Sequence, residues 1–152
     1  MAKSNGSSHP ALSCADGIAA SWSDFLLLVG RVLLGSLFLA TGWLKFNTIA
    51  GNTAYFTSLG IPSPGTMVWV AGGTEVVLGA ALILGIATRY AALASFIFVL
   101  IATAIAHRYW TYPAAAQGAQ YFNFLKNLAI MGGALAIFVT GAGRFSVDSK
   151  LR

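Results

Sequence analysis

The chain has 152 residues, of which 57% are hydrophobic and only 9% are charged, and its mean hydropathy is +0.76. A soluble domain of this length is usually about 45–50% apolar with about a quarter of its residues charged, so this composition excludes a soluble globular protein and predicts an integral membrane protein. The net charge of +5 does not indicate nucleic-acid binding, because the cations form no basic run and are spread among helix ends and loops.

Residues 1–23 are rich in Ser, Ala and Gly and show no periodic apolar pattern. This composition predicts a disordered tail before the first membrane-spanning helix. The alternative is that the first apolar segment belongs to a cleaved signal peptide. An uncleaved helix is favoured, because a long polar tail precedes the segment and the segment itself is long for a signal-peptide core.

Four long apolar segments follow the tail, and each is about the length that a membrane-spanning helix needs. At about 1.5 Å per residue each segment spans roughly 25–30 Å, which matches the hydrocarbon core of a bilayer. Helices are expected because open strands cannot satisfy their backbone groups in lipid. The sequence therefore predicts an all-α, integral membrane four-helix bundle over residues 24–152. Its helices are expected at about 24–43, 66–86, 90–106 and 121–141.

The distribution of Lys and Arg predicts the orientation of this bundle. With four spans, the tail, the loop near Arg89 and the C-terminus lie on one side of the membrane. That side holds five cations and the other side holds two. The positive-inside rule then places both termini in the cytoplasm. The five are Lys3, Arg89, Arg144, Lys150 and Arg152, and the two are Lys45 and Arg108.

Three of the four segments carry an ionisable residue in their apolar interior, namely Arg31, Glu75 and Lys126. A charge at bilayer depth costs roughly 2.5–3.5 kcal/mol on insertion scales, so these groups are expected to face one another and to mark a functional site. Small residues at helical spacing beside the charges predict closely packed helices. These faces carry Arg31, Gly35, Phe38, Gly42 and Lys45 on the first helix, Gly72, Glu75, Gly79 and Leu82 on the second, and Asn123, Lys126, Asn127 and Ile130 on the fourth.

Depth in the membrane predicts which charges meet. Glu75 lies near mid-membrane and Lys126 about one turn nearer the outer surface, so the long lysine side chain is expected to reach the carboxylate. Arg31 lies on the cytoplasmic half, where it either reaches Glu75 from below or extends to the inner surface. The candidate pocket, open to the outside, consists of Glu75, Lys126, His107, Asn123 and Asn127, with Lys45 above them and Arg31 below.

Two interpretations of this polar cluster stay open. In the first, it is a satisfied ion pair that holds the four helices in register. In the second, it is a pocket for an anion, a thiol compound or a quinone head group. Quinone oxygens accept hydrogen bonds, and Lys126, His107 and Asn127 are suitable donors. His107 can equally serve as a favourable cation at the C-terminus of its helix.

The chain carries little chemistry of its own. Cys14 is the only cysteine, so an internal dithiol cycle is impossible. There is no metal-ligand spacing, no phosphate-binding glycine loop and no nucleophile–base pair, so neither a metal nor an intrinsic cofactor is predicted and no catalytic residue is assigned. Any electron that passes through this protein must use a bound diffusible carrier, such as a quinone, or a partner redox protein.

An ordered set of residues runs through the chain from about residue 26 to residue 148. The set consists of Arg31, Gly35, Phe38, Gly42 and Lys45, then Phe56, Gly60, Ile61 and Pro62, then Glu75 and Gly79, Gly85, Arg89, Ala91 and Ala92, His107, Asn123, Lys126 and Asn127, and finally Gly141, Gly143, Ser146 and Asp148. This set resembles the DoxX family of small membrane proteins. The resemblance implies a four-helix membrane bundle and a loose link to sulfur and quinone redox chemistry.

This resemblance leads to a bacterial inner-membrane protein as the expectation. Its outward pocket would serve a redox-linked complex that handles a quinone or a small thiol or sulfur compound. It would act as a non-autonomous subunit of a quinone-linked oxidoreductase. Members of the wider superfamily act as chaperones or cargo receptors, so the alternative is a non-catalytic accessory protein that binds a partner protein. A small-solute transporter is a third class, for which four helices are few.

Overall fold

A computed structural model describes the backbone of residues 10–151 and the side chains of residues 13–151. Within this range there are five α-helices, and four of them are long and apolar enough to cross a membrane. No strand occurs in these residues, so the predicted all-α membrane bundle is confirmed. The helices are α1 (Pro10–Asn47), α2 (Ile49–Ser58), α3 (Pro64–Leu84), α4 (Thr88–Ala106) and α5 (Ala114–Thr140).

Helix α1 begins well before the predicted start. Residues 10–23, expected to be disordered, form its first turns. Proline fits the first turn of a helix, the following residues are rich in alanine, and extension of an existing helix needs no new nucleus. At about 1.5 Å per residue α1 is roughly 57 Å long, so it extends far beyond a hydrocarbon core of about 30 Å. Lys3 and Arg152, which the sequence analysis placed on the cytoplasmic side, lie outside the described residues.

The connection between the first two predicted spans contains the short helix α2. Gly60 (φ 71°) and Ser63 (φ 48°) then turn the chain into α3, which begins at Pro64. None of the residues of α2 is buried, so this helix lies on the end of the bundle rather than within it. Helix α5 also begins before its predicted position, because the alanine-rich segment that starts at Ala114 continues the membrane-spanning helix.

Helices α1 and α3 cross in backbone-to-backbone contact at glycines. A Cβ atom at Gly79 would lie 2.7 Å from the Gly35 carbonyl oxygen, and one at Gly42 would lie 2.8 Å from the Gly72 carbonyl oxygen. These approaches leave no room for a side chain, as the small residues beside the charges predicted. Because Gly35 faces Gly79 and Gly42 faces Gly72, the antiparallel register of the two helices is determined at two points.

The centre of the bundle is closed by a layer of apolar side chains, one from each long helix. This central layer consists of Phe38, Leu78, Val99 and Met131. A second cluster fills the half of the bundle that holds the α3–α4 turn and consists of Leu82, Ala91, Ala92 and Ile137. The other half, where α1 ends and α3 begins, is not filled and contains the cavity described next.

Candidate functional site

A cavity of about 720 Å³ lies between the central layer and α2. This volume is within the range of about 300–1,000 Å³ that is typical of small-molecule sites. All five helices contribute to its wall, which is mostly apolar, so the pocket is less polar than predicted. The polar and charged side chains in the wall are Thr41, Lys45, Tyr55, Thr74, Glu75, His107, Arg108, Lys126 and Asn127.

An ion pair between α1 and α3 forms the most buried charged contact of this cavity. Lys45 Nζ donates to Glu75 Oε2 at 2.7 Å, and the two side chains are 19% and 9% exposed. The glycine contacts place Lys45 level with Trp69, as the stacking of Phe46 on Trp69 also indicates. A Cβ atom at Gly42 would lie 3.0 Å from Glu75 Cβ. Lys45, three residues further along α1, therefore extends back into the membrane by about one turn of helix to reach the carboxylate, instead of extending to the surface.

Lys126 does not make the predicted contact with Glu75. Its side chain is exposed at the cavity wall, and its Nζ donates to Asn123 Oδ1 at 3.1 Å. The physical reason lies in the packing. Helix α1 approaches α3 closely at glycines, so Lys45 on α1 is near enough to Glu75 to form the ion pair with its carboxylate. Asn123 contacts Lys126 but is not part of the cavity wall. Lys126 thus remains available at the mouth of the cavity.

Two further predicted residues line the cavity with their polar groups held by neighbours. Asn127 is buried, and its Nδ2 donates to Thr103 Oγ1 at 2.8 Å, while Thr103 Oγ1 donates to the Val99 carbonyl oxygen. His107 Nδ1 lies 2.8 Å from Gln120 Oε1. Because a carbonyl oxygen only accepts, this contact places the proton of a neutral ring on Nδ1. Nε2 is then an acceptor in the neutral ring and a donor when the ring is protonated.

Helix α2 closes the end of the cavity and was not predicted. Its Tyr55 hydroxyl donates to the Ala106 carbonyl oxygen at 3.4 Å, and Tyr112 donates to the same oxygen at 2.9 Å. Partial burial and the nearby Tyr112 hydroxyl raise the pKa of Tyr55 to about 12, so the phenol is neutral at physiological pH. The adjacent aromatic residues Tyr55 and Phe56, in the connection between the first two spans, were the sequence feature that could have indicated a segment packed against the bundle.

Arg31 lies at the opposite end of the bundle and takes no part in the cavity. It is completely buried, and its Nη2 donates to the Phe145 carbonyl oxygen. A Cβ atom at Gly85 would overlap the guanidinium group, so this glycine makes room for the arginine. The expectation that Arg31 belongs to the pocket is therefore wrong. Its guanidinium group is held by the Phe145 carbonyl oxygen at the other end of the bundle.

The C-terminal segment also forms hydrogen bonds with the turn between α3 and α4. The Asp148 carboxylate accepts hydrogen bonds from the backbone N–H groups of Ala87 and Thr88 at 2.7 and 2.8 Å, where α4 begins. The N–H group of Val147 donates to the Leu84 carbonyl oxygen at 3.1 Å. The residues that resemble the family motif therefore have several roles. Some line the cavity, the glycines of α1 and α3 allow these two helices to pack closely, and others hold the C-terminal segment against the α3–α4 turn.

Comparison with known proteins gives a consistent set of relatives. The DoxX family model matches residues 26–108, more than half of the chain. Inner membrane protein YphA of Escherichia coli is 36% identical over 126 residues, which cover 82% of this chain and 89% of that protein. Inner membrane protein YqjF of the same organism is 34% identical over 128 residues, which cover 84% and 93%.

A more distant relative is the ER-derived vesicles protein ERV29 of Saccharomyces cerevisiae. It is 26% identical over 126 residues, which cover 83% of this chain but only 34% of that protein. No solved structure matches the chain significantly.

Proposed function

The chain belongs to the DoxX family, and from this premise we propose that it is an inner-membrane protein whose cavity binds a small amphipathic ligand of the quinone class. In this proposal the protein is the membrane subunit of a redox-linked complex, and it supplies the binding site rather than the redox group. The inner membrane is the location given in the names of YphA and YqjF. With its single cysteine, the chain needs the ligand and a partner enzyme to transfer electrons.

The cavity is the observation that supports this proposal. Apolar walls with a few polar groups at defined positions are what a ring-shaped ligand with two carbonyl oxygens requires. Lys126 Nζ has three protons, of which Asn123 takes one, so this group can donate to a quinone oxygen. The central layer closes the cavity on its inner side, which argues against solute transport through the bundle.

The orientation remains as proposed from the charge distribution. Lys45 and Arg108 lie at the cavity end of the bundle, whereas Arg89, Arg144 and Lys150 lie at the end that holds the α3–α4 turn and the C-terminal segment. By the positive-inside rule the latter end is cytoplasmic and the cavity faces outward. A small thiol or sulfur compound is the second candidate ligand of the same cavity, so the test compares both ligand classes.

The test begins with protein purified from its native membrane in a mild detergent. Organic extracts are analysed by mass spectrometry, and a quinone at near-stoichiometric amount is the expected result. Decylubiquinone and thiosulfate are then titrated separately by calorimetry. Lys126→Met should weaken quinone binding about tenfold or more, because a hydrogen bond to a charged group contributes about 1.5–3 kcal/mol. The matched control is Lys150→Met, whose lysine lies outside the cavity and should leave the affinity unchanged.

Three results would contradict this function. They are the absence of any retained quinone, the absence of a calorimetric response to decylubiquinone, and equal effects of the two lysine substitutions. Binding of thiosulfate alone, weakened by Lys126→Met, would instead assign the cavity to sulfur compounds.

The alternative function is that of an accessory protein for a partner protein. Its specific support is the exposed extension of α1, where every side chain from 13 to 23 is exposed, including Ile18 and Trp22 at 59% and 58%. Apolar side chains on a helix that extends beyond the bundle can serve as a contact surface. Deletion of residues 1–20 should abolish co-purification of a partner without loss of the bound small molecule. Unchanged co-purification would remove this support.

A further inference from the structure

Three large apolar side chains of α3 and α4 line the cavity and are also exposed. They are Val70 of α3, which is 52% exposed, and Ile101 and Ile105 of α4, which are 54% and 38% exposed. A side chain that lines a cavity and is also exposed lies at the rim of that cavity. The rim on this side is thus apolar and lies within the membrane-spanning part of both helices.

The helix connections explain why an opening occurs between α3 and α4. The two helices are joined by only three residues, 85–87, at the end of the bundle away from the cavity. Over their whole lengths α3 packs mainly on α1, and α4 packs mainly on α5. The first half of α3 and the last half of α4 therefore belong to different helix pairs, and the cavity separates them.

At the end of the bundle, away from the central layer, the cavity is covered by protein. Helix α2 and the turn at Gly60, Ile61 and Pro62 form its wall at the end of the bundle. The contact of Tyr55 with the Ala106 carbonyl oxygen connects this cover to the end of α4. The apolar rim lies on the side of the bundle, in the membrane-spanning part of α3 and α4, whereas the end of the bundle beyond the cavity is occupied by α2 and the turn that follows it.

We propose that the gap between Val70, Ile101 and Ile105 is a lateral portal to the bilayer, and that the ligand is an amphiphile whose apolar tail lies in this portal. The inference rests on the proposed function and narrows its ligand class. The head group lies near Lys126 and Asn127, and the tail continues between α3 and α4 into the lipid. A cavity of about 720 Å³ holds a head group and the beginning of a tail, so a long tail needs an exit.

The experiment uses two quinones with the same head and two tryptophan substitutions on one helix. The ligands are decylubiquinone and the same benzoquinone without the decyl chain. Val70→Trp fills the portal, and Val77→Trp is the matched control, because Val77 is 67% exposed on α3 and does not line the cavity. Binding to the full chain in lipid nanodiscs is measured by calorimetry, with the heat of partition into empty nanodiscs subtracted.

Lateral access predicts a specific pattern of affinities. Val70→Trp should weaken decylubiquinone binding by at least about tenfold and leave the tail-less quinone unchanged, because only the tail needs the portal. Val77→Trp should affect neither ligand. A second pair tests the facing helix: Ile105→Trp should behave like Val70→Trp, and Ile97→Trp, whose side chain is 47% exposed outside the cavity wall, should behave like Val77→Trp.

The outcomes separate this inference from the proposed function. If both quinones bind and the portal substitutions act like their controls, the portal is refuted and the quinone site stands. If neither quinone binds to the wild-type protein, the proposed function is refuted and this inference with it. Equal loss of both ligands in Val70→Trp and Ile105→Trp, at unchanged melting temperature, would show that the ligand head lies in the gap and would also overturn the portal.

Discussion

Replacing Lys45 with Met should destabilise the protein far more than the same replacement at Lys126. Lys45 Nζ lies 2.7 Å from Glu75 Oε2, and the carboxylate side chain is only 9% exposed. Breaking a buried ion pair by removing one partner costs about 3–5 kcal/mol, because the other charge stays buried without compensation. The Lys45 side chain is 19% exposed, so the pair is not fully buried and we expect the lower end of this range, about 3 kcal/mol. Lys126 is exposed and holds a neutral partner, so its loss should cost about 0.5 kcal/mol or less.

The assay is thermal unfolding in detergent, followed by circular dichroism. For a chain of this size 1 kcal/mol corresponds to about 2–4 °C, so Lys45→Met should lower the melting temperature by roughly 6–12 °C and Lys126→Met by about 2 °C at most. Glu75→Gln should be milder than Lys45→Met. Lys45 is near the end of α1, so without its partner it can extend to the membrane surface, whereas Glu75 in mid-helix cannot.

The double variant Lys45→Met with Glu75→Gln should recover part of the loss, with a coupling of at least about 1 kcal/mol. Equal destabilisation by Lys45→Met and Lys126→Met would refute the assignment of the pair. Strictly additive losses in the double variant would show that Lys45 and Glu75 do not interact.

Three further predictions concern packing, the C-terminal segment and topology. Gly79→Ala should cost about 1–3 kcal/mol of stability, because the new Cβ would meet α1 backbone at 2.7 Å, whereas Gly73→Ala on the same helix meets nothing within 4 Å and should be neutral or stabilising in the same melting assay. Asp148→Ala should lower stability by about 1–2 kcal/mol through loss of two hydrogen bonds at the start of α4, and the exposed Asp16→Ala serves as its control; equal effects would contradict this role. Reporter fusions at Pro64 and at the C-terminus should appear on opposite sides of the membrane, and reporters on one side would exclude the proposed orientation.

The sequence was sufficient for the class of the fold and the number of spans. Bilayer thickness sets the length of an apolar helix, and lipid leaves the backbone no alternative to helical hydrogen bonding, so composition and segment length are enough. The sequence also identified Glu75 as a charge that needs a partner, because an isolated charge in an apolar helix is costly. It did not reveal the early start of α1, where hydropathy falls without a change of backbone conformation, or helix α2, which follows a break in the helix at Thr48.

The partners of the charges were decided only by the tertiary structure. Lys45 and Lys126 are both plausible by depth, and the glycine contacts between α1 and α3 determine that Lys45 reaches Glu75. Arg31 is held by the carbonyl oxygen of Phe145, which belongs to a segment with no apolar pattern to place it. Periodicity gives the face of a helix on which a residue lies. It does not give the distance between two helices or the direction of a long side chain, and those two quantities determine which charged groups meet.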